Sequence, residues 1–271
     1  MFKYLLRILL SVFLMMFLVV RQECRAADTS SNTITDKADT IKASEILKKA
    51  DEFRSPWPNF IMIAHLSFEK FNEEKQEVFR VFTRDYFKSL VSYIEPVKQK
   101  GNILLMVDDN LWYYVNKTQY PMRITPIQKL SGGASYGDVT RLSWSRDYNA
   151  NMVGEQTVTV MGQSYETWLL KLIARSNSAT YHAIDLYIEK GTGYPRKAEV
   201  YLQSGKKMKT LYFTAYQTMA GRMMNTKIEF IDHLSSDNVT TLTFSKVQVK
   251  KSPDRYFLKS NLPSLNSEVV Y

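Results

Sequence analysis

Over most of the chain from residue 60 to residue 249, apolar side chains recur at every second position, the period of a strand with one buried face. The first run is the clearest: Phe60, Met62, Ala64, Leu66 and Phe68 alternate with Ile61, Ile63, His65 and Ser67. Further strands are predicted over 77–86, 87–95, 102–107, 111–115, 166–174, 181–189, 196–203, 207–216, 227–232 and 240–249. The turns include Asn72-Glu73-Glu74, Lys100-Gly101, Asp108-Asp109-Asn110 and Ser204-Gly205. Connections of two to six residues suit antiparallel hairpins and exclude parallel crossovers. Ahead of the strands, Ser44 reads as an N-cap, and Ile46, Leu47, Ala50 and Phe53 share one helical face. Pro56 and Pro58 end that helix. Residues 121–162 break the rhythm with Gly132, Gly133 and Gly137, and Asp138 is placed to cap a short helix through Leu142 and Trp144. That segment reads as an insertion packed across the sheet.

Several strands are apolar on both faces, which happens when each face is covered. The architecture that fits is mainly β with a few helices: an unclosed, curled antiparallel barrel capped by helices. Alternation then proposes inward residues. These are Phe60, Met62, Leu66 and Phe68 on the first strand, and Phe79, Val81, Val91, Tyr93, Leu104, Met106, Trp112 and Tyr114 on its neighbours. A one-residue error in register turns any of these rows outward. The inward face is expected to line a cavity for an apolar ligand. The many methionines and large rings suit variable chains.

Before the helix the pattern changes. Lys3 and Arg7 precede an apolar run from Ile8 to Val20, followed by Arg21, Glu23, Cys24 and Ala26. This matches a secretory leader over 1–26, cut between Ala26 and Ala27, and the run is short of the roughly 20 residues of a membrane span. A retained anchor is the alternative. A flexible linker over 27–43 and a single domain over 44–271 would follow. The expected location is the periplasm. Cys24, the only cysteine, would leave with the leader, so no disulfide, thiol nucleophile or cysteine–metal site is expected. A net charge of +9 with no Lys/Arg block in an exported chain argues against nucleic acid and is compatible with anionic headgroups.

Chemistry is sparse. Gly133-Ala134-Ser135-Tyr136-Gly137 matches the G-x-S-x-G elbow of α/β-hydrolases, with His182, His233, Asp185 and Asp232 following it. The residues before it are not a buried strand, so a glycine loop is the simpler reading and an esterase through Ser135 the minor one. His65, His182 and His233 stand alone, without metal-ligand spacing. Asp108-Asp109-Asn110 lacks the glycine and glutamate of a calcium loop. Neither a cofactor nor an enzymatic activity is expected.

A longer set of motifs points elsewhere. Gly101-Asn102-Ile103-Leu104-Leu105 leads to Asp109-Asn110-Leu111-Trp112-Tyr113-Tyr114 and Arg123-Ile124-Thr125-Pro126. Leu130 to Asp138, Asp147-Tyr148, Tyr194 to Tyr201 and Ser204-Gly205-Lys206 follow in order. This succession resembles the outer-membrane lipoprotein-sorting proteins of the LolA-like superfamily, from about Ser44 to the C-terminus. The resemblance implies an apolar cavity carrying acyl chains of a lipoprotein or lipid, with an inner-membrane transporter or exporter as partner. An envelope sensor or regulatory module on the same fold is the alternative that the divergence of this branch raises.

Overall fold

The computed structural model describes residues 39–235 and 239–269, so the predicted leader and most of the predicted linker lie outside the described residues. The alternating segments form strands β1 (Phe60–Lys70), β2 (Glu73–Arg84), β3 (Lys88–Glu95), β4 (Ile103–Val107), β5 (Asn110–Val115) and β6 (Tyr120–Ile124). A small separate hairpin, β7 (Lys129–Ser131) and β8 (Ala134–Ser135), follows. Then come β9 (Tyr148–Val160), β10 (Gln163–Ala174), β11 (Ala183–Glu189), β12 (Pro195–Tyr201), β13 (Lys207–Met219), β14 (Arg222–Asp232) and β15 (Thr240–Gln248). Thirteen of these strands make one sheet in the order β6-β5-β4-β3-β2-β1-β15-β14-β13-β12-β11-β10-β9. Two antiparallel meanders are thus joined where the last strand pairs with the first. The edges β6 and β9 remain unjoined, and the barrel is open.

Turn chemistry sets the register. Phe71-Asn72, Met161-Gly162 and Ala220-Gly221 each carry two positive φ angles, the two-residue loop whose twist matches the strands it joins. The first turn therefore lies ahead of the predicted Asn72-Glu73-Glu74, and Glu73 and Glu74 already pair with Lys70 and Glu69. The region 121–162 also needs correction at its ends. Residues 120–124 are edge strand β6, and 148–160 are edge strand β9. A sheet edge with one face in water needs few apolar residues, so Asn149, Asn151 and the Gly154–Thr157 run gave no strand signal. Only the middle of the region crosses the sheet, carrying α2 (Tyr136–Thr140) and α3 (Trp144–Asp147).

Helix α1 covers residues 39–51, so residues 39–43 of the predicted linker are helical and Ser44 lies inside the helix rather than capping it. Its buried stripe is Ala43, Leu47 and Ala50, within the compact unit Ala43–Tyr271. Ala43 starts that stripe a turn earlier than the larger side chains suggested. Ile46 is only partly covered, and Phe53 falls in the turn after the helix.

The sheet buries both faces over β2–β5. On the convex side, α4 (Leu262–Val269) sets Leu262, Leu265 and Val269, with Phe257, onto Phe82, Leu90, Ile103, Leu105 and Tyr114. The three helix residues follow a helical period of three and four. This cover explains the loss of clean alternation in β3 and β4. Leu262→Ala and Leu265→Ala should each lower unfolding free energy by about 2–5 kcal/mol in urea titrations. A change within about 0.5 kcal/mol, as at an exposed site, would show that α4 does not close this face.

Candidate functional site

Most of the residues read as inward-facing meet on the concave side. Phe60, Met62, Leu66, Phe68, Phe79, Val81, Leu104 and Met106 belong to one buried cluster, together with Val91 and Tyr93. On β1 the alternation is strict, since Ile61, Ile63, His65 and Ser67 are all partly exposed. The β1–β2 register places Met62 opposite Val81 and Ala64 opposite Phe79, which extends the row across the sheet.

Trp112 and Tyr114 lie on the other face. Tyr114 is buried in the convex cluster, and Trp112 packs beside it with the Lys259 ammonium 3.8 Å from its ring centroid. The two-residue loop Asp108-Asp109 pairs Met106 with Leu111 and Leu104 with Tyr113. Residues directly opposite one another in an antiparallel pair share a face. With Leu104 and Met106 inward, Leu111 and Tyr113 must be inward too, and they are.

The concave side is filled by the protein's own side chains. Leu47 and Ala50 of α1, Trp57, Val139 of α2, Trp144 of α3 and Leu142 between those two helices join the inward row in one cluster. A gap of about 20 Å³ beside Arg54 and Trp144 has room for about one water. The larger space is an open cleft of about 1110 Å³ at the mouth, lined by the β1–β2 hairpin, the 96–99 turn and β7.

Buried charges tie the covering segments to one another and, through Lys209 of β13, to the sheet, and local sequence patterning carries no signal of them. The Asp51 carboxylate, at the end of α1, accepts hydrogen bonds from Trp144 N (2.7 Å), Ser145 N (2.8 Å) and the Ser143 hydroxyl (2.9 Å). It caps α3 from a distant part of the chain. Burial raises its pKa, and the bonds from Ser145 and Trp144 offset part of that rise. The Arg54 guanidinium lies 4.0 Å from the Trp144 ring centroid and donates to Arg141 O at 3.3 Å. Deeper in, Lys209 Nζ donates to Gly133 O (2.6 Å) and Ser135 Oγ (2.9 Å) and lies 3.6 Å from Asp138 Oδ2. Asp138 closes a capping box by accepting from Ser135 N (2.8 Å), and Tyr181 donates to it at 2.7 Å. Asp138 therefore acts from the third position of α2, not as its N-cap. Burial lowers the Lys209 pKa, while the Asp138 charge opposes the shift.

This network accounts for the G-x-S-x-G match. Ser135 is fully buried at the N-cap of α2, with its hydroxyl held by Lys209. A nucleophile elbow needs an exposed serine at the end of a buried parallel strand, and β8 is a two-residue antiparallel strand. A Cβ on Gly137 would lie 2.1 Å from Thr180 Oγ1, so this glycine serves close packing. His233 pairs with Thr210 Oγ1 at 2.8 Å, and His182 is exposed. Among the described residues, no group of His, Cys, Asp and Glu is placed to hold a metal ion. Nor is any helix there long and apolar enough to cross a membrane.

An open antiparallel sheet curled around short helices is the architecture of the LolA-like superfamily. A LolA superfamily protein of Nitrosomonas europaea superposes with a TM-score of 0.73 at 27% identity, over 80% of this chain and 98% of the other. A DUF1329 family protein of Desulfovibrio piger gives 0.70 at 17% identity, over 83% and 99%. A Vibrio parahaemolyticus domain described as outer membrane lipoprotein-sorting gives 0.69 at 18% identity, over 83% and 99%. A family model described as "Uncharacterized protein" matches residues 86–264, more than half of the chain, and the chain belongs to that family. No curated protein matches the sequence.

Lys209→Met would leave Asp138 buried without its cation, a change worth about 3–5 kcal/mol. Urea denaturation should show that loss, with part of it recovered in the Lys209→Met/Asp138→Asn double variant. Strictly additive losses would mean that the two charges do not stabilise one another.

Proposed function

We propose that the protein is an exported, periplasmic carrier that holds acyl chains of a lipoprotein or lipid on the concave face of its sheet. It would receive them from an inner-membrane transporter or exporter and move them toward the outer membrane. The observation that carries this reading is how the concave face is closed. A continuous apolar row across β1–β5 is covered by short helices, joined to one another through a few polar side chains and resting on the sheet through apolar ones, rather than by a second sheet. Such a cover can move as a unit and leave an apolar trough. Each CH₂ of a bound chain that replaces it contributes about 0.8 kcal/mol, so no polar or catalytic group is needed to hold the cargo. The likeness to lipoprotein-sorting domains supports the same reading.

Protein purified from bacterial membranes should carry lipid or acylated peptide detectable by mass spectrometry. Met62→Glu and Leu66→Glu should abolish that retention, because an unpaired carboxylate in an apolar site costs several kcal/mol. Wild-type protein that carries no lipid and binds no fluorescent fatty acid would refute the carrier. Crosslinking in cells that captures a transmembrane regulator, without lipid transfer, would identify an envelope sensor instead.

A further inference from the structure

Glu77 lies on the concave face at the mouth of the sheet, paired across the strands with Leu66, and only 5% of its surface is exposed. Its Oε1 accepts from the Ser131 hydroxyl at 2.8 Å and from the Gln99 amide at 3.3 Å. Its Oε2 is buried and has no hydrogen-bond partner. A carboxylate oxygen taken out of water without a donor is costly, and such a group is retained where something else supplies the donor. The rings of Tyr93, Tyr113 and Tyr136 form a row, with successive centroids 6.2 and 5.8 Å apart. Burial raises the hydroxyl pKa values of all three, with the Glu77 charge as a further cause.

The same residue lines the open cleft of about 1110 Å³, and the rest of that cleft has the opposite character. Lys70, Lys75, Lys98 and Lys129 line it, against Glu69 and Glu77. The cleft also reaches Phe68, the last residue of the buried β1 row. The residue that carries the unsatisfied oxygen therefore lines a space that also has a rim of ammonium groups and access to the apolar face.

We propose that this cleft binds a phosphate joined by a short chain to a primary ammonium, as in the headgroup of an aminophospholipid. The ammonium donates to Glu77 Oε2, the phosphate lies among the lysines, and the acyl chains pass Phe68 onto the concave face. A headgroup that is only anionic would meet the buried carboxylate unfavourably. A quaternary ammonium has no N–H to satisfy Oε2. The proposal rests on the carrier reading and names its cargo.

The test uses the full chain mixed with vesicles of phosphatidylethanolamine, phosphatidylcholine and phosphatidylglycerol in equal parts. The protein is re-isolated, and its lipid is identified by mass spectrometry. Wild-type protein should retain phosphatidylethanolamine about tenfold over the other two, the scale of one charge-assisted hydrogen bond. Glu77→Gln, close in shape but neutral, should lose that preference. Lipid retained by the wild type without headgroup preference overturns the site and leaves the carrier standing, whatever the variant does. Preference unchanged in folded Glu77→Gln also overturns it. Retention of no lipid overturns the carrier, and calorimetry with soluble phosphoethanolamine then decides the site: binding that Glu77→Gln loses upholds it, and no binding overturns it.

Discussion

The pairing of β15 with β1 is the contact on which the rest of the molecule depends. It is the one strand pair that joins the two meanders, with Ala64 opposite Phe244 and Leu66 opposite Leu242. Without it the chain would be two smaller sheets, each exposing an apolar face. With it, one sheet of thirteen strands twists and curls, as long antiparallel sheets do. The closure also decides where the edges fall. Because first and last strands meet in the middle, β6 and β9 become the edges, and the chain between them must travel from one side of the sheet to the other. That journey carries α2 and α3 across the concave face.

The crossing segment is too short to seal itself by apolar contact alone. α2 has five residues and α3 four, far below the length at which a helix is stable by itself. They persist because distant groups complete them. Asp51 supplies the acceptors for the first backbone N–H groups of α3, and Lys209 holds the carbonyl and hydroxyl just ahead of α2. A buried ionic cluster of this kind adds little net stability over an apolar core, while loss of one member is costly. Its effect is to admit one position of the cover and few others.

The cover packs Leu47, Val139, Leu142 and Trp144 against the apolar face, and a handful of polar contacts join its parts to one another. On the convex side, α4 meets β2–β5 through an apolar interface that also includes Phe257. Opening there would expose apolar surface on both partners with nothing to replace it. On the concave side the mouth is already open as a cleft, and a bound chain can take the place of the displaced side chains.

Strand positions, hairpin connectivity and the unclosed sheet were legible in the sequence, because period-two alternation and short turns are local properties of the backbone. The inward row Phe60, Met62, Leu66 and Phe68 was equally legible, since polar neighbours mark its other face. The face of Trp112 and Tyr114 was also recoverable: the Asp108-Asp109 loop ties Leu111 to Met106, and that loop length is written in the chain. Edge strand β9 was hidden because water accepts polar residues on its open side. α4 and its apolar cover came only with the fold. So did the network of Asp51, Arg54, Asp138, Tyr181 and Lys209, whose members lie up to 158 positions apart in the numbering from 51 to 209. Local patterning determines elements and their faces, because both depend on neighbours along the chain. Which buried charges meet, and whether a carboxylate such as Glu77 keeps an unsatisfied oxygen, depends on distances across the fold that tertiary packing alone establishes.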